Sequence, residues 1–206
     1  VAYMHKIAVG PAARGSVDIS DTPENNLRRV AFAMDVHVRD LTVCMLDRPR
    51  HLALLERVRE MGARVALISD GDIGAAMMAA VSGTGIDVML GAGGTREAVL
   101  AACALRCLGG ELQCRPWVRH EDEAVAVREA GFDPDVALSM ETLVPGTDVS
   151  VAVTGVSGGG LLRGVLYHGW WAQTQSMVMR SSSGTIREIS TKHHVALRPE
   201  DAPKLR

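Results

Sequence analysis

Three short segments concentrate the groups that could grip a phosphorylated, polyhydroxylated ligand: DRPRH at 47–51, DGD at 70–72 and GAGGTRE at 91–97. Arg48 and Arg50 flank a proline, and guanidinium forks match the geometry of phosphate or carboxylate oxygens. Pro49 stiffens the backbone between them, which lowers the cost of holding both side chains ready for an anion; ordinary ion pairing with Asp47 is the plainer alternative. Asp70 and Asp72 flank Gly71 and could hold a cation, accept hydrogen bonds from sugar hydroxyls, or cap a following helix. Two carboxylates this close repel each other, so the second calls for a partner, either hydroxyls or a cation. GAGGTRE is a broken dinucleotide fingerprint, because the third glycine of the usual pattern falls on Arg96. A nicotinamide-dependent oxidoreductase would rest on that segment alone, and no nicotinamide binding is expected. What survives is a general mechanism: glycines allow close backbone approach, and the next helix N-terminus favours an anion. Glu97 falls in that first helical turn, where it could simply be a favourable dipole charge.

These segments sit at comparable places in a repeated pattern. LTVCML (41–46) is a short apolar run followed by helical spacing through 49–62, closed at Gly62. ARVALIS (63–69) precedes a helix over 70–83, and IDVML (86–90) precedes a helix over 95–110. Three successive βα units imply a mainly parallel sheet covered on both faces, with its strand ends opening onto one rim where ligands bind. That rim would bring Arg48 and Arg50 beside Asp70, Asp72 and Glu97. Upstream, a helix is expected after Asp21 or Thr22 with Pro23 in its first turn, and VAYMHKIAVGP reads as a strand already under way. Downstream, 121–131 is an amphipathic helix, and the chain then turns to β patterning, with QSMVMRS and TIREIST joined across SSSG as a hairpin. An α/β structure with two layers of sheet follows.

Composition narrows the function classes. With 47% hydrophobic residues in 206, the chain can bury a sizeable core. Its 22 basic and 24 acidic residues give a formal charge of −2 and no basic patch, so nucleic-acid binding is not expected. No apolar run approaches the roughly 20 residues of a membrane span and no signal peptide opens the chain, so a cytoplasmic location is the default. Cys44, Cys103, Cys107 and Cys114 form no CxxC pair and read as reduced core thiols. The seven histidines lack metal-ligand spacing, the ten methionines read as core filler, and Trp170 and Trp171 suit either a subunit contact or a half-buried strand.

Seven stretches, YMHKIAVGPAARGSVDI, DLTVCMLDRPRH, ALISDGDIGAAM, GAGGTREAVLAA, LGGELQ, VTGVSGGGLLRGV and QSMVMRSSSGTIREI, occur in order along the chain. Together they resemble the class II fructose-1,6-bisphosphatases, bacterial enzymes that often also take sedoheptulose-1,7-bisphosphate. The resemblance implies the layered α/β sandwich of the lithium-sensitive phosphatases, with a mainly parallel βα region and a C-terminal β region. In that organisation residues 1–20 end a metal-site domain, 21–140 form the sugar-phosphate-binding region, and 141–206 are the β-rich part packed in the same structure. It also implies that Tyr3, Arg48, Pro49, Arg50, Asp70, Gly71, Asp72 and Gly94 contact the sugar bisphosphate. Glu97 is implied as a ligand of a divalent metal, manganese or magnesium. The implied activity is metal-dependent hydrolysis of the 1-phosphate of fructose 1,6-bisphosphate in gluconeogenesis, by a homo-oligomer. Family members carry an N-terminal segment with most metal carboxylates and a threonine after an acid-Gly pair, yet no D-G-T or E-G-T occurs here. The chain, which starts at Val1 without Met, is therefore expected to be the C-terminal part of such an enzyme and inactive alone. The alternative is a non-catalytic sugar-phosphate-binding module or a partner of a separate metal-carrying subunit.

Overall fold

Alternation along the first strand already sorts side chains to two opposite faces. In the computed structural model, which describes residues 3–195, β1 spans Tyr3–Val9 and points Met4 and Ala8 one way, Ile7 and Val9 the other. Val1 and Ala2, read from the sequence as the start of this strand, lie outside the described residues.

Local signals set most elements. Helix α1 (Pro23–Ala33) starts where the Thr22 hydroxyl accepts the Asn25 N–H at 3.2 Å and Pro23 occupies the first turn. Strand β2 (Thr42–Leu46) leads through a single 3₁₀ turn at Pro49–His51 into α2 (Leu52–Glu60), and Gly62 leaves that helix with φ +80°. Strand β3 (Arg64–Ile68) then feeds α3 (Asp72–Met78). This helix is shorter than the 70–83 read from the sequence, because the Thr84 hydroxyl turns back to the Met78 carbonyl at 2.6 Å and Gly83 and Gly85 take positive φ. Strand β4 runs Val88–Gly94, so the GAGG segment is strand and not the loop expected after 90. Pairing explains it: Gly91, Ala92, Gly93 and Gly94 face Lys6, His5, Met4 and Tyr3 across an antiparallel ladder. Helix α4 (Thr95–Leu108) follows directly, then β5 (Glu111–Pro116), whose alternating burial the sequence reading passed over.

The first sheet has the order β3-β2-β4-β1-β5. Strands β2, β3 and β4 are mutually parallel, while β1 is antiparallel to both β4 and β5. Among the described residues four strands of this sheet therefore share one direction and β1 alone opposes them. Helices α1 and α2 cover one face through Leu27, Val30, Leu55 and Val58 against Ile7, Val43 and Leu90. Helices α3 and α4 cover the other through Ala75, Ala98 and Leu105 against Ala8, Cys44 and Met89.

After α5 (Glu121–Glu129) and the short α6 (Met140–Leu143), the chain forms β6 (Ser150–Thr154), β7 (Leu166–His168), β8 (Trp171–Arg180) and β9 (Thr185–His194). β8 pairs with all three others, and the β8–β9 hairpin turns at Ser181–Gly184 as its sequence suggested. Met177 and Met179 of this second sheet pack on Ala104, Cys107 and Leu108, the back of α4. The layers thus stack helix, sheet, helix, sheet, the phosphatase-like α/β arrangement expected of the resemblance. Cys44, Cys107 and Cys114 are buried, Cys103 is half-buried, and all four are free thiols. Trp170 and Trp171 stand exposed at the turn between β7 and β8. Among the described residues no helix is long and apolar enough to cross a membrane.

Candidate functional site

Because β2, β3 and β4 are parallel, their C-terminal ends reach the same rim, and an open cleft of about 900 Å³ lies there. The end of β2 contributes Arg48 and Arg50, the end of β3 contributes Asp70, Gly71 and Asp72, and the junction of β4 with α4 contributes Gly94 and Glu97. Tyr3 joins them because β1 runs the other way and so starts at this rim. Eight of the nine residues singled out from the sequence thus line one cleft. The exception is Pro49, which is exposed and not part of the lining; its place is at the start of the 3₁₀ turn that separates the two arginines.

The carboxylate partner that the DGD segment called for is the protein's own cation. Lys6 lies in β1 with 1% of its surface exposed, and its Nζ donates to Asp72 Oδ2 at 2.5 Å and to the Gly94 carbonyl at 2.7 Å. A buried ammonium persists only when paired and hydrogen-bonded, and here one lysine ties β1, α3 and the end of β4 together. Gly93 is required beside it, since a Cβ there would overlap Asp72 Oδ2 and come within 3.2 Å of Lys6 Nζ. Asp70 stays exposed, accepting the Gly71 N–H at 2.9 Å, with Gly71 in the left-handed region at φ +94°. The sequence reading missed Lys6. A lysine inside the apolar run YMHKIAV was the available signal, because such a residue must find a buried acid.

The arginine side of the cleft is held by a second set of contacts. Arg50 donates through Nε and Nη2 to the Ala92 carbonyl at 3.2 and 2.9 Å and stacks 5.1 Å from the centre of the Tyr3 ring. Arg119 lies 5.5 Å from the same ring and is itself paired with Glu123 at 2.7 Å. Arg48 is freer, bonded among the described residues only to its neighbour's carbonyl, Asp47 O, at 2.9 Å. His51 fastens this corner to β4: its Nδ1 donates to the Leu46 carbonyl at 2.8 Å, and its Nε2 accepts the Ala92 N–H at 2.8 Å. That pairing needs the neutral ring. Burial, aided by the charges of Arg50 and Arg48, outweighs the pull of the Leu46 carbonyl and holds the imidazole below its ordinary pKa. Ser157, from the glycine-rich loop after β6, closes another side of the cleft and was not singled out from the sequence.

Donors for a metal are sparse. Among the described residues no three His, Cys, Asp or Glu side chains come together to hold a metal ion. Asp72 is committed to Lys6, which leaves Glu97 and Asp70 as carboxylates facing the cleft. The described residues of this chain therefore do not fit a complete metal centre. The cleft offers unpaired guanidinium at one side, carboxylate at the other, and glycine backbone between, a set suited to an anionic, hydroxylated molecule.

The chain matches the family model "Bacterial fructose-1,6-bisphosphatase, glpX-encoded" over residues 1–193. The D-fructose 1,6-bisphosphatase class 2/sedoheptulose 1,7-bisphosphatase of Synechococcus sp. (strain JA-2-3B'a(2-13)) is 43% identical across 93% of this chain and 59% of its own length. The protein of the same description from Synechococcus sp. (strain JA-3-3Ab) is 42% identical over the same shares. A D-fructose 1,6-bisphosphatase class 2/sedoheptulose 1,7-bisphosphatase 2 from Acaryochloris marina (strain MBIC 11017) is 39% identical, again over 93% and 59%. The chain accordingly spans about 59% of the length of these curated relatives. On both grounds it belongs to the bacterial, glpX-encoded fructose-1,6-bisphosphatase family.

Proposed function

We propose that this chain is the sugar-bisphosphate-binding part of a metal-dependent phosphatase that hydrolyses the 1-phosphate of fructose 1,6-bisphosphate, with sedoheptulose 1,7-bisphosphate as a second substrate. The observation that carries the reading is the convergence of Arg48, Arg50, Asp70, Gly94 and Glu97 from three strand ends on one cleft. In this reading Arg48 and Arg50 hold a phosphate, Arg50 being pre-set by Ala92 and Tyr3 so that little side-chain entropy is lost on binding. Asp70 accepts hydrogen bonds from sugar hydroxyls, and the Gly93–Gly94 backbone lets the ligand approach closely. Asp72, fixed by Lys6, orders the floor, and Pro49 and Gly71 set the backbone at their turns. Glu97 is the residue assigned to a divalent metal, manganese or magnesium. The other ligands then come from outside the described residues, and no step is assigned to the ion here. A role in gluconeogenesis, a cytoplasmic location and homo-oligomeric assembly belong to the same proposal.

Calorimetric titration with fructose 1,6-bisphosphate tests it. Arg48→Ala should weaken binding by about 10- to 100-fold, because charge-assisted hydrogen bonds contribute about 1.5–3 kcal/mol each. Unchanged affinity would refute the assignment. The sparse carboxylates favour one second reading, a non-catalytic binding module. Phosphate release by this chain with Mn²⁺ or Mg²⁺ would exclude that module, whereas binding without any release would favour it.

A further inference from the structure

A second cavity, of about 420 Å³, opens on the opposite face of the first sheet, between β1, β4, β5 and the start of α1 and α2. Arg50 lines both this cavity and the cleft. Arg115 projects into it from β5, beside the rings of His5 and Trp117, which lie 5.4 Å apart. Among the described residues neither Arg50 nor Arg115 has a carboxylate within ion-pairing distance.

The nearby charges that might have neutralised them are already used. Asp21 is held by Arg29 at 2.8 Å and Asn25 at 2.9 Å, and Arg57 forms a two-pronged pair with Glu24 at 2.7 Å on both arms. His5 and His51 are both held below their ordinary pKa, chiefly by burial, so near neutral pH they add little charge of either sign. Asp21 lines the same concavity but is engaged by Arg29, and the two guanidiniums of Arg50 and Arg115 have no paired acid among the described residues, which leaves a positive field that an anion would relieve. The volume exceeds what a single phosphate group needs and matches a small metabolite.

We propose that this cavity binds a small phosphate-bearing metabolite through Arg115 and Arg50, and that its occupant opposes ligand binding in the cleft by competing for Arg50. The first half stands on the cavity's own residues; the second rests on the reading of the cleft as a phosphate site. Competition through one shared side chain is reciprocal by linkage, so each ligand weakens the other equally.

Inorganic pyrophosphate serves as the probe, titrated calorimetrically without metal into the full chain and into Arg115→Gln and Arg48→Gln, both partly exposed positions where folding should hold. The wild type should bind two equivalents. Arg115→Gln should weaken one of them by about tenfold or more and leave the other no weaker than in the wild type, and Arg48→Gln should do the converse. In Arg48→Gln the Trp117 indole N–H resonance should still shift on titration. A single equivalent that Arg48→Gln abolishes, or an unmoved Trp117 resonance, would overturn the cavity. A single equivalent lost only in Arg115→Gln would uphold the cavity and refute the cleft. For the coupling, pyrophosphate should reduce fructose 1,6-bisphosphate affinity more in the wild type than in Arg115→Gln; equal reduction in both would overturn it.

Discussion

Replacing Lys6 with methionine tests whether the floor of the cleft is organised by one buried cation. Met approximates the length of the lysine stem but offers no charge and no donor. Its introduction strands Asp72, which is 7% exposed, and leaves the Gly94 carbonyl without the donor now 2.7 Å away. Breaking a buried pair by removing one partner costs about 3–5 kcal/mol, because the remaining charge is left uncompensated. Against a total stability of about 5–15 kcal/mol for an ordinary domain, the variant should fold but unfold at much lower urea. The double variant Lys6→Met/Asp72→Ala removes both charges and leaves chiefly the Gly94 carbonyl unsatisfied, a cost of about 1–3 kcal/mol. The double change should therefore be milder than the single one. Urea titrations followed by circular dichroism, compared at equal m-value, give both numbers. A single variant within about 1 kcal/mol of wild type, or a double variant worse than the single, would refute the argument from the buried pair.

Stability should fall with acid before any carboxylate titrates. His51 and His5 have pKa values depressed from 6.5 in the folded chain, so below pH 6.5 the unfolded chain takes up protons that the folded one refuses. Urea midpoints should be flat above that pH and decline below it; a midpoint that rose on acidification from pH 7 would contradict the neutral, doubly bonded His51. The stability that Glu123 supplies, its carboxyl held down to about 2 by Arg119, is fully present above its ordinary value of 4.5 and is lost only below it, so it does not confound this window. Thiol labelling gives an independent check on the layers, since Cys44 and Cys114 are buried with thiols pushed up to about 11 and about 12. Iodoacetamide at pH 8 should modify Cys103 first and leave the other three until urea is added, as read by mass spectrometry; native labelling of Cys114 would place β5 wrongly.

The elements that could be read in advance are those whose signals are local. Thr22 and Pro23 mark the start of α1, Gly62 the end of α2, and SSSG the hairpin of the second sheet, each through a backbone preference of the residue itself. What escaped depends on residues distant in sequence. The GAGG segment looks like a loop by propensity and becomes strand because Tyr3, Met4, His5 and Lys6 pair with it. The reversal of β1 within an otherwise co-directional sheet leaves no trace in periodicity. The arginine, aspartate and glycine groups of the cleft were legible because they sit at strand ends. Lys6 and Ser157 were not, since their roles depend on approach to Asp72 and to the far side of the same opening.

The orientation of β1 also dictates an order of events as the chain is made. Its neighbours on both sides, β4 and β5, are synthesised long after it, so Tyr3 waits for Gly94 and Met4 for Pro116. Such long-range closure is slow, and until it happens the emerging strand carries an unmatched ammonium, Lys6, among apolar neighbours. Locking β1, uniting the acid with its base and bringing Tyr3 to Gly94 then wait on β4, so a polypeptide stalled before β4 would have its arginines but no finished pocket.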